Sequence, residues 1–209
     1  MIPLLIGIPA VLAVLFQFVR NGKARGYIVY AGAGIIMLTT VMFVVQWITA
    51  GAQKQMFYPE TELIDHLMTV GDLFLMCLII WLSVKHGKIL PIILSVVQTA
   101  VVLYTEFTAE VAEAPHMMVD WLTILMCVII AFIGGFICIY TVGYMKGYHK
   151  HHTEVKDRQP FFFSMLFLFL AAMFGLVLSQ NLIWIYFFWE ITSVISFLMI
   201  GYTRTEEAV

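Results

Sequence analysis

The sequence predicts an all-α, polytopic membrane protein with about seven transmembrane helices. Three observations lead there. The chain of 209 residues is 62% hydrophobic and 11% charged, with mean hydropathy +0.97, outside the balance of water-soluble domains. Lipid leaves no partner for an open backbone, so only helices or a closed barrel can span it. The apolar runs are continuous rather than alternating, which selects helices. The net charge of −2 points away from nucleic acid. Cys77, Cys127 and Cys138 all lie inside apolar runs, without a CxxC pair, so neither an iron–sulfur site nor a disulfide framework is expected.

Taken in order, the apolar spans run over roughly 2–19, 27–48, 66–84, 89–105, 117–142, 160–179 and 181–202. Each approaches the ~20 residues that a bilayer requires. Pro3 and Pro9 fall in the first span, where a membrane helix tolerates proline. Nothing basic precedes that span, so no cleavable signal is expected.

The connections alternate in charge. Arg20, Lys23 and Arg25 follow the first span, and Lys54 stands against Glu60, Glu62 and Asp65 after the second. Lys85 and Lys88 come next, then Glu106, Glu110 and Glu113, then a basic segment 143–159, an uncharged turn at Ser179-Gln180-Asn181, and Arg204. With the first connection in the cytoplasm, only Lys54 of the eleven Lys and Arg residues falls outside. Positive charge favours the cytoplasmic side, so the N-terminus is expected outside and the C-terminus inside. Trp47, Trp81, Trp121, Trp184, Tyr58, Tyr104, Tyr140, Tyr144 and Tyr202 lie near span ends and read as interfacial anchors. Phe161-Phe162-Phe163 reads as lipid-facing or helix packing.

The last span carries Glu190 near its middle. A charge at that depth costs about 3 kcal/mol on insertion scales and marks an ion or proton path by default. Tyr186, four residues before, and Ser193, three after, share its helical face, so the three form a polar stripe suited to proton transfer. The competing structural role is a protonated acid bonded to a neighbouring helix. An ionised Glu190 requires a cation, yet all eleven Lys and Arg lie in connections or at span ends. Asp72, inside the third span, and Asp120, at the start of the fifth, are secondary candidates, with Asp120 shallow enough for a structural role. His149, His151 and His152 in GYHKHH lack the spacing and the cysteines of a fixed metal site, so a partner-docking segment is expected there rather than a metal. No histidine lies deep in a span as a haem ligand would, and no cofactor is expected. A retinal protein is excluded by the absence of lysine from 181–202.

Residues 117–209 resemble the antiporter-like membrane subunits of respiratory complex I, Mrp-type sodium/proton antiporters and energy-converting membrane hydrogenases. The resemblance is carried by the opening Val119-Asp120-Trp121-Leu122, the motif Gly143-Tyr144-Met145, a phenylalanine-led helix, Asn181 in a short turn, Trp189-Glu190, and Ile200-Gly201-Tyr202. The His-rich loop and the wording FFWEITS are most similar to the hydrogenase-type branch. The resemblance implies that Glu190 is the family's intramembrane glutamate, which works with a lysine on a later, broken helix. This chain stops before that helix, so it is expected to be the N-terminal portion of a longer subunit. It also carries about two extra spans, an added hairpin at about 66–105 within an N-terminal region 1–116, suited to lateral contact with another subunit.

The resulting expectation is a non-catalytic subunit that moves protons or sodium ions within a multisubunit redox complex in a prokaryotic cytoplasmic membrane. Its partners would be other membrane subunits, lipid and the ion. The alternative is a non-pumping scaffold subunit of the same kind of complex. Thr203 and Glu206 read as a capping box opening a further helix.

Overall fold

A computed structural model describes residues 1–57, 62–108, 116–151 and 157–202. The capping box at 203–206 and the acidic residues 110 and 113 lie outside the described residues. The chain is helical almost throughout: α1 (Ile2–Phe18), α2 (Gly22–Thr49), α3 (Glu62–Lys85), α4 (Ile89–Thr108), α5 (Trp121–Ile129), α6 (Gly135–His151), α7 (Gln159–Leu178) and α8 (Leu182–Ile200). A π-helical turn over Ile130–Gly134 fuses α5 to α6. Two short strands, β1 (Gln55–Phe57) and β2 (Met117–Val119), pair antiparallel. Each of the apolar spans read from sequence coincides with a helix or a continuous helical run. Among the described residues five helices are long and apolar enough to cross a membrane, and Ile2–Phe18 and Ile89–Val101 are shorter apolar helices.

The connections sort to two ends of the bundle. At one end β1 pairs with β2, Met117 bridges Ser179, and the amides of Gln180 and Asn181 both donate to the His116 carbonyl. The segments after α2, α4 and α7 therefore meet. At the other end Arg25 donates to Gln159 at 2.5 Å, and the Tyr202 hydroxyl receives the Arg158 amide and contacts His149 Nε2 at 2.9 Å. The starts of α2 and α7 meet the ends of α6 and α8 there. An even spacing of crossings between connections accounts for that sorting.

The core is built on α1 and α7. Phe16 is fully buried between Phe163 and Phe167, with ring centroids 5.9 and 5.1 Å away. Ser164 ties the two helices, donating to the Ala13 carbonyl at 2.7 Å and accepting from the Gln17 amide at 2.9 Å. In lipid such an inter-helix bond adds about 0.6–2 kcal/mol. Ser164→Ala is expected to lower the thermal stability of the purified protein in detergent by about that amount, because the Gln17 amide loses its acceptor. An unchanged melting temperature would show that this bond adds nothing to the α1–α7 contact.

Several details differ from the expectations. Asn21 caps α2 by accepting from the Lys23 amide, so the helix starts earlier than the apolar run and takes in Lys23 and Arg25. Arg25 is buried over the Phe163 ring, an aliphatic stem and guanidinium packed rather than solvated. The run α5–α6 extends to His151, so His149 and His151 sit on the last turn of a helix, not in a loop. Packing carries the helix past Gly143 and Gly147: Tyr140, Tyr144 and Tyr148 stack at successive four-residue steps, and Met145 is buried. Trp47 and Trp184 are core residues rather than lipid anchors. Trp47 packs edge-on to Trp121 and donates to the Gln53 carbonyl, and Trp184 lies against His116. Trp81, Tyr104, Trp121 and Tyr140 do face outward. Phe163 is a packing residue.

Candidate functional site

Helix α8 sets the depth of the site. Asn181 caps it, with its side-chain oxygen accepting the Ile183 amide at 2.9 Å. Glu190 then falls about two turns in, roughly 12 Å along the axis at 1.5 Å per residue. One side of α8 is fixed to α7. A Cβ on Gly175 would stand 2.4 Å from two ring atoms of Phe188, so the missing side chain is what lets the helices close. Phe188, Trp184, Ala172 and Met68 form a small buried cluster joining α3, α7 and α8.

Tyr186 and Glu190 occupy the stripe that the spacing predicts. The Tyr186 hydroxyl donates to Glu190 Oε1 at 2.7 Å. Gln98, from α4, donates to the same oxygen at 2.6 Å and also to the Tyr186 hydroxyl. Asp72, from α3, is buried and lines a small pocket together with Tyr186. Gly71 permits that approach, since a Cβ there would meet Phe187 at 2.7 Å. The hairpin α3–α4 thus packs on α8 within the chain, bringing Gln98 to Glu190 and Asp72 into a pocket shared with Tyr186. Gln98, Tyr186, Trp189, Glu190 and Ser193 line an open groove of about 600 Å³. A pocket of about 10 Å³ between Asp72, Tyr186, Thr69 and Thr99 is near the lower limit for one water molecule.

Ser193 and Asp120 are placed differently. The Ser193 hydroxyl donates back to the Trp189 carbonyl at 3.0 Å, so it lines the groove without bonding Glu190. Asp120 caps α5, its Oδ1 accepting the Thr123 amide at 2.8 Å. That amide bond holds the Asp120 carboxyl below its ordinary range. A depressed carboxyl stabilises the fold above its unfolded value and loses that contribution as pH falls through the folded one. Asp120→Ala is expected to cost about 1 kcal/mol of stability at pH 7, with Asp120→Asn close to the parent because asparagine also caps. The Ala deficit should shrink under acid conditions, measured by thermal unfolding at pH 7 and pH 3. A deficit that stays constant would contradict the cap.

Gln98 was not among the sequence candidates. The signal was present, since an amide in the middle of an otherwise apolar span is costly in the same way as Glu190. Among the described residues no lysine or arginine bonds Glu190, in keeping with the confinement of cations to connections and helix ends. The arrangement joins a carboxyl, a phenol and an amide in one hydrogen-bonded cluster beside an open groove.

Fold and site together define a polytopic α-helical membrane protein with carboxylates held at mid-depth. Residues 114–153 match the family described as NADH-ubiquinone oxidoreductase (complex I), chain 5 N-terminus. The chain is 39% identical over 89 residues to Na(+)/H(+) antiporter subunit A1 of Staphylococcus haemolyticus, covering 43% of this chain and 10% of that protein. It is 41% identical over 88 residues to chloroplastic NAD(P)H-quinone oxidoreductase subunit 5 of Zygnema circumcarinatum, covering 42% and 11%. With the corresponding subunit of Marchantia polymorpha the identity is 38% over 107 residues, 50% of this chain and 13% of that one. The resemblance read from the motifs is therefore borne out, and the matches span about a tenth of those relatives' length. Glu190 lies beyond the residues that the family model matches. The similarity to the hydrogenase branch rests on the sequence wording alone.

Proposed function

We propose that this chain belongs to an antiporter-like subunit that moves protons or sodium ions across a membrane, coupled to redox chemistry in other subunits. The carrying observation is the polar cluster at mid-depth of α8, where Tyr186 and Gln98 both donate to one oxygen of Glu190. An acid used only for packing is satisfied by fixed donors on both oxygens. Here the bonded donors converge on Oε1, and the groove beside it is lined by Ser193 and Trp189. The names of the relatives, a sodium/proton antiporter subunit and quinone oxidoreductase subunits, support ion movement over the scaffold role.

In this mechanism Glu190 takes up a proton from one side and releases it toward the other. Tyr186 holds the carboxyl in place and bridges it to water, and Ser193 lines the exit. Charge on Glu190 is balanced by a cation from a neighbouring subunit or from polypeptide beyond these residues. Other membrane subunits are its partners, and a prokaryotic cytoplasmic membrane is its location. A hydrophobic carbodiimide attacks protonated carboxyls in lipid. Treating the membrane complex that contains this chain should modify Glu190, located by peptide mass, and block ion movement in proportion. Full modification of Glu190 with undiminished ion movement would leave the scaffold reading in its place.

A further inference from the structure

We propose that a groove between α3 and α8 holds one acyl chain of an anionic phospholipid, with the lipid phosphate at Lys88 and His86. The groove measures about 600 Å³, within the roughly 300–1,000 Å³ of ligand sites. Its walls are apolar: Leu78, Ile79 and Leu82 from α3, Pro91 from α4, and Val194 and Phe197 from α8. Its polar groups are sorted rather than scattered. Ser83, His86 and Lys88 line it where α3 ends, and Ser193 lines it toward the middle of α8. Among the described residues no acid lines it. An apolar trough with basic groups at one end has the layout of a fatty chain and an anionic headgroup.

The basic end stands at the height of a headgroup. Lys85 closes α3 and α4 opens at Ile89, so His86 and Lys88 lie in the connection between two apolar helices. Lys85 Nζ lies 5.3 Å from the centre of the Trp81 ring, and that ring faces outward as interfacial tryptophans do. The connection is fixed by its own backbone. Gly87 adopts φ +65°, and the amides of His86, Gly87 and Lys88 donate to the carbonyls of Leu82, Val84 and Ser83 at 3.0, 3.2 and 2.9 Å. A glycine in the left-handed region is what such a helix ending requires. The turn keeps His86 and Lys88 at one mouth of the groove.

The surroundings favour lipid as the occupant. Ile89, Leu90 and Ile93, which flank Lys88 and Pro91, are 70%, 68% and 54% exposed, a surface suited to acyl chains rather than water. From His86 to Ile79 the groove follows α3 for about 10 Å at 1.5 Å per residue. There it meets the groove beside Glu190, with Ile79, Ser193 and Val194 common to both. The lipid tail therefore points along α8 toward Glu190. A phosphate accepts hydrogen bonds from an ammonium and from an imidazole N–H, whereas a zwitterionic headgroup brings a cation of its own to the same place. A scaffold subunit would hold the lipid equally well, so the site stands apart from the role of Glu190.

The test places the intact membrane complex in phosphatidylcholine vesicles with a trace of phosphatidylglycerol that carries a photoreactive diazirine midway along one acyl chain. Illumination should label the α3 and α8 peptides that hold Leu82 and Val194, located by peptide mass. The matching phosphatidylcholine probe should label them about fivefold less, the size of one lysine charge near a membrane surface. Lys88→Gln should reduce labelling by phosphatidylglycerol by a similar factor, and Leu82→Trp should reduce it by filling the trough. Lys150→Gln, on the last turn of α6, should leave it unchanged. The two-probe comparison needs no substitution and serves if neither groove variant assembles. Equal labelling by both probes, or unchanged labelling in an assembled Lys88→Gln or Leu82→Trp complex, would overturn the site and leave only bulk lipid there. Absence of label from both peptides would overturn it as well, as for a groove covered by protein.

Discussion

Glu190→Gln in the assembled complex is expected to abolish ion movement, at least a hundredfold below the parent, while the complex still forms. The size follows from what the side chain does. General acid–base groups contribute about 10²–10⁴ in rate, and an amide cannot carry a proton between two water paths. The fold should survive because glutamine is isosteric and its amide oxygen still accepts from Tyr186 and Gln98. Electron transfer in the partner subunits should continue, uncoupled from ion movement. The measurement is ion uptake into vesicles during turnover, normalised to the amount of subunit found in the membrane.

Gly175→Leu is expected to have the largest effect on the fold. The Cβ alone would lie 2.4 Å from Cε1 and Cζ of Phe188. That ring has nowhere to swing, because it is buried among Met68, Ala172 and Trp184. Overpacking of this kind costs about 1–3 kcal/mol. Relieving it means separating α8 from α7, and Glu190 sits only two residues beyond Phe188. Both the level of the subunit in membranes and its melting temperature in detergent should drop, with Gly175→Ala intermediate. A leucine variant as stable as the parent would show that α7 and α8 do not meet at this point.

The sequence was informative wherever lipid imposes the rule. Continuous apolar runs located the long helices, and the cost of a charge in hydrocarbon singled out Glu190. Spacing on α8 put Tyr186 on its face, and the structure joins them. Periodicity within one helix is silent on which other helix lies alongside. Gln98 belongs to a span far from Glu190 in the chain, and only the packing of the α3–α4 hairpin on α8 brings it there. The same limit explains the tryptophans. Trp81 and Trp121 face outward while Trp47 and Trp184 are buried, yet all stand near span ends and look alike in the sequence. The extra length of α6 has a related cause: the tyrosine stack that accompanies the helix past Gly143 and Gly147 is a contact between turns.

The hairpin α3–α4 changes meaning between the two views. As added sequence outside the family pattern it reads as a lateral contact. In the fold its inner face supplies Gln98, which donates to Glu190, and Asp72, which shares a small pocket with Tyr186. Lateral contact with another subunit remains open to its outer face, where Trp81, Ile93 and Tyr104 are exposed.

The account stands on Glu190 changing its protonation during turnover. Infrared difference spectroscopy of the working complex reads that directly, with Glu190→Gln identifying the band. A protonated-carboxyl band that rises and falls with turnover, shifts in heavy water and is missing from the glutamine variant is the expected result. A difference spectrum identical in the parent and the Glu190→Gln complex would contradict the account and leave this acid a packing residue.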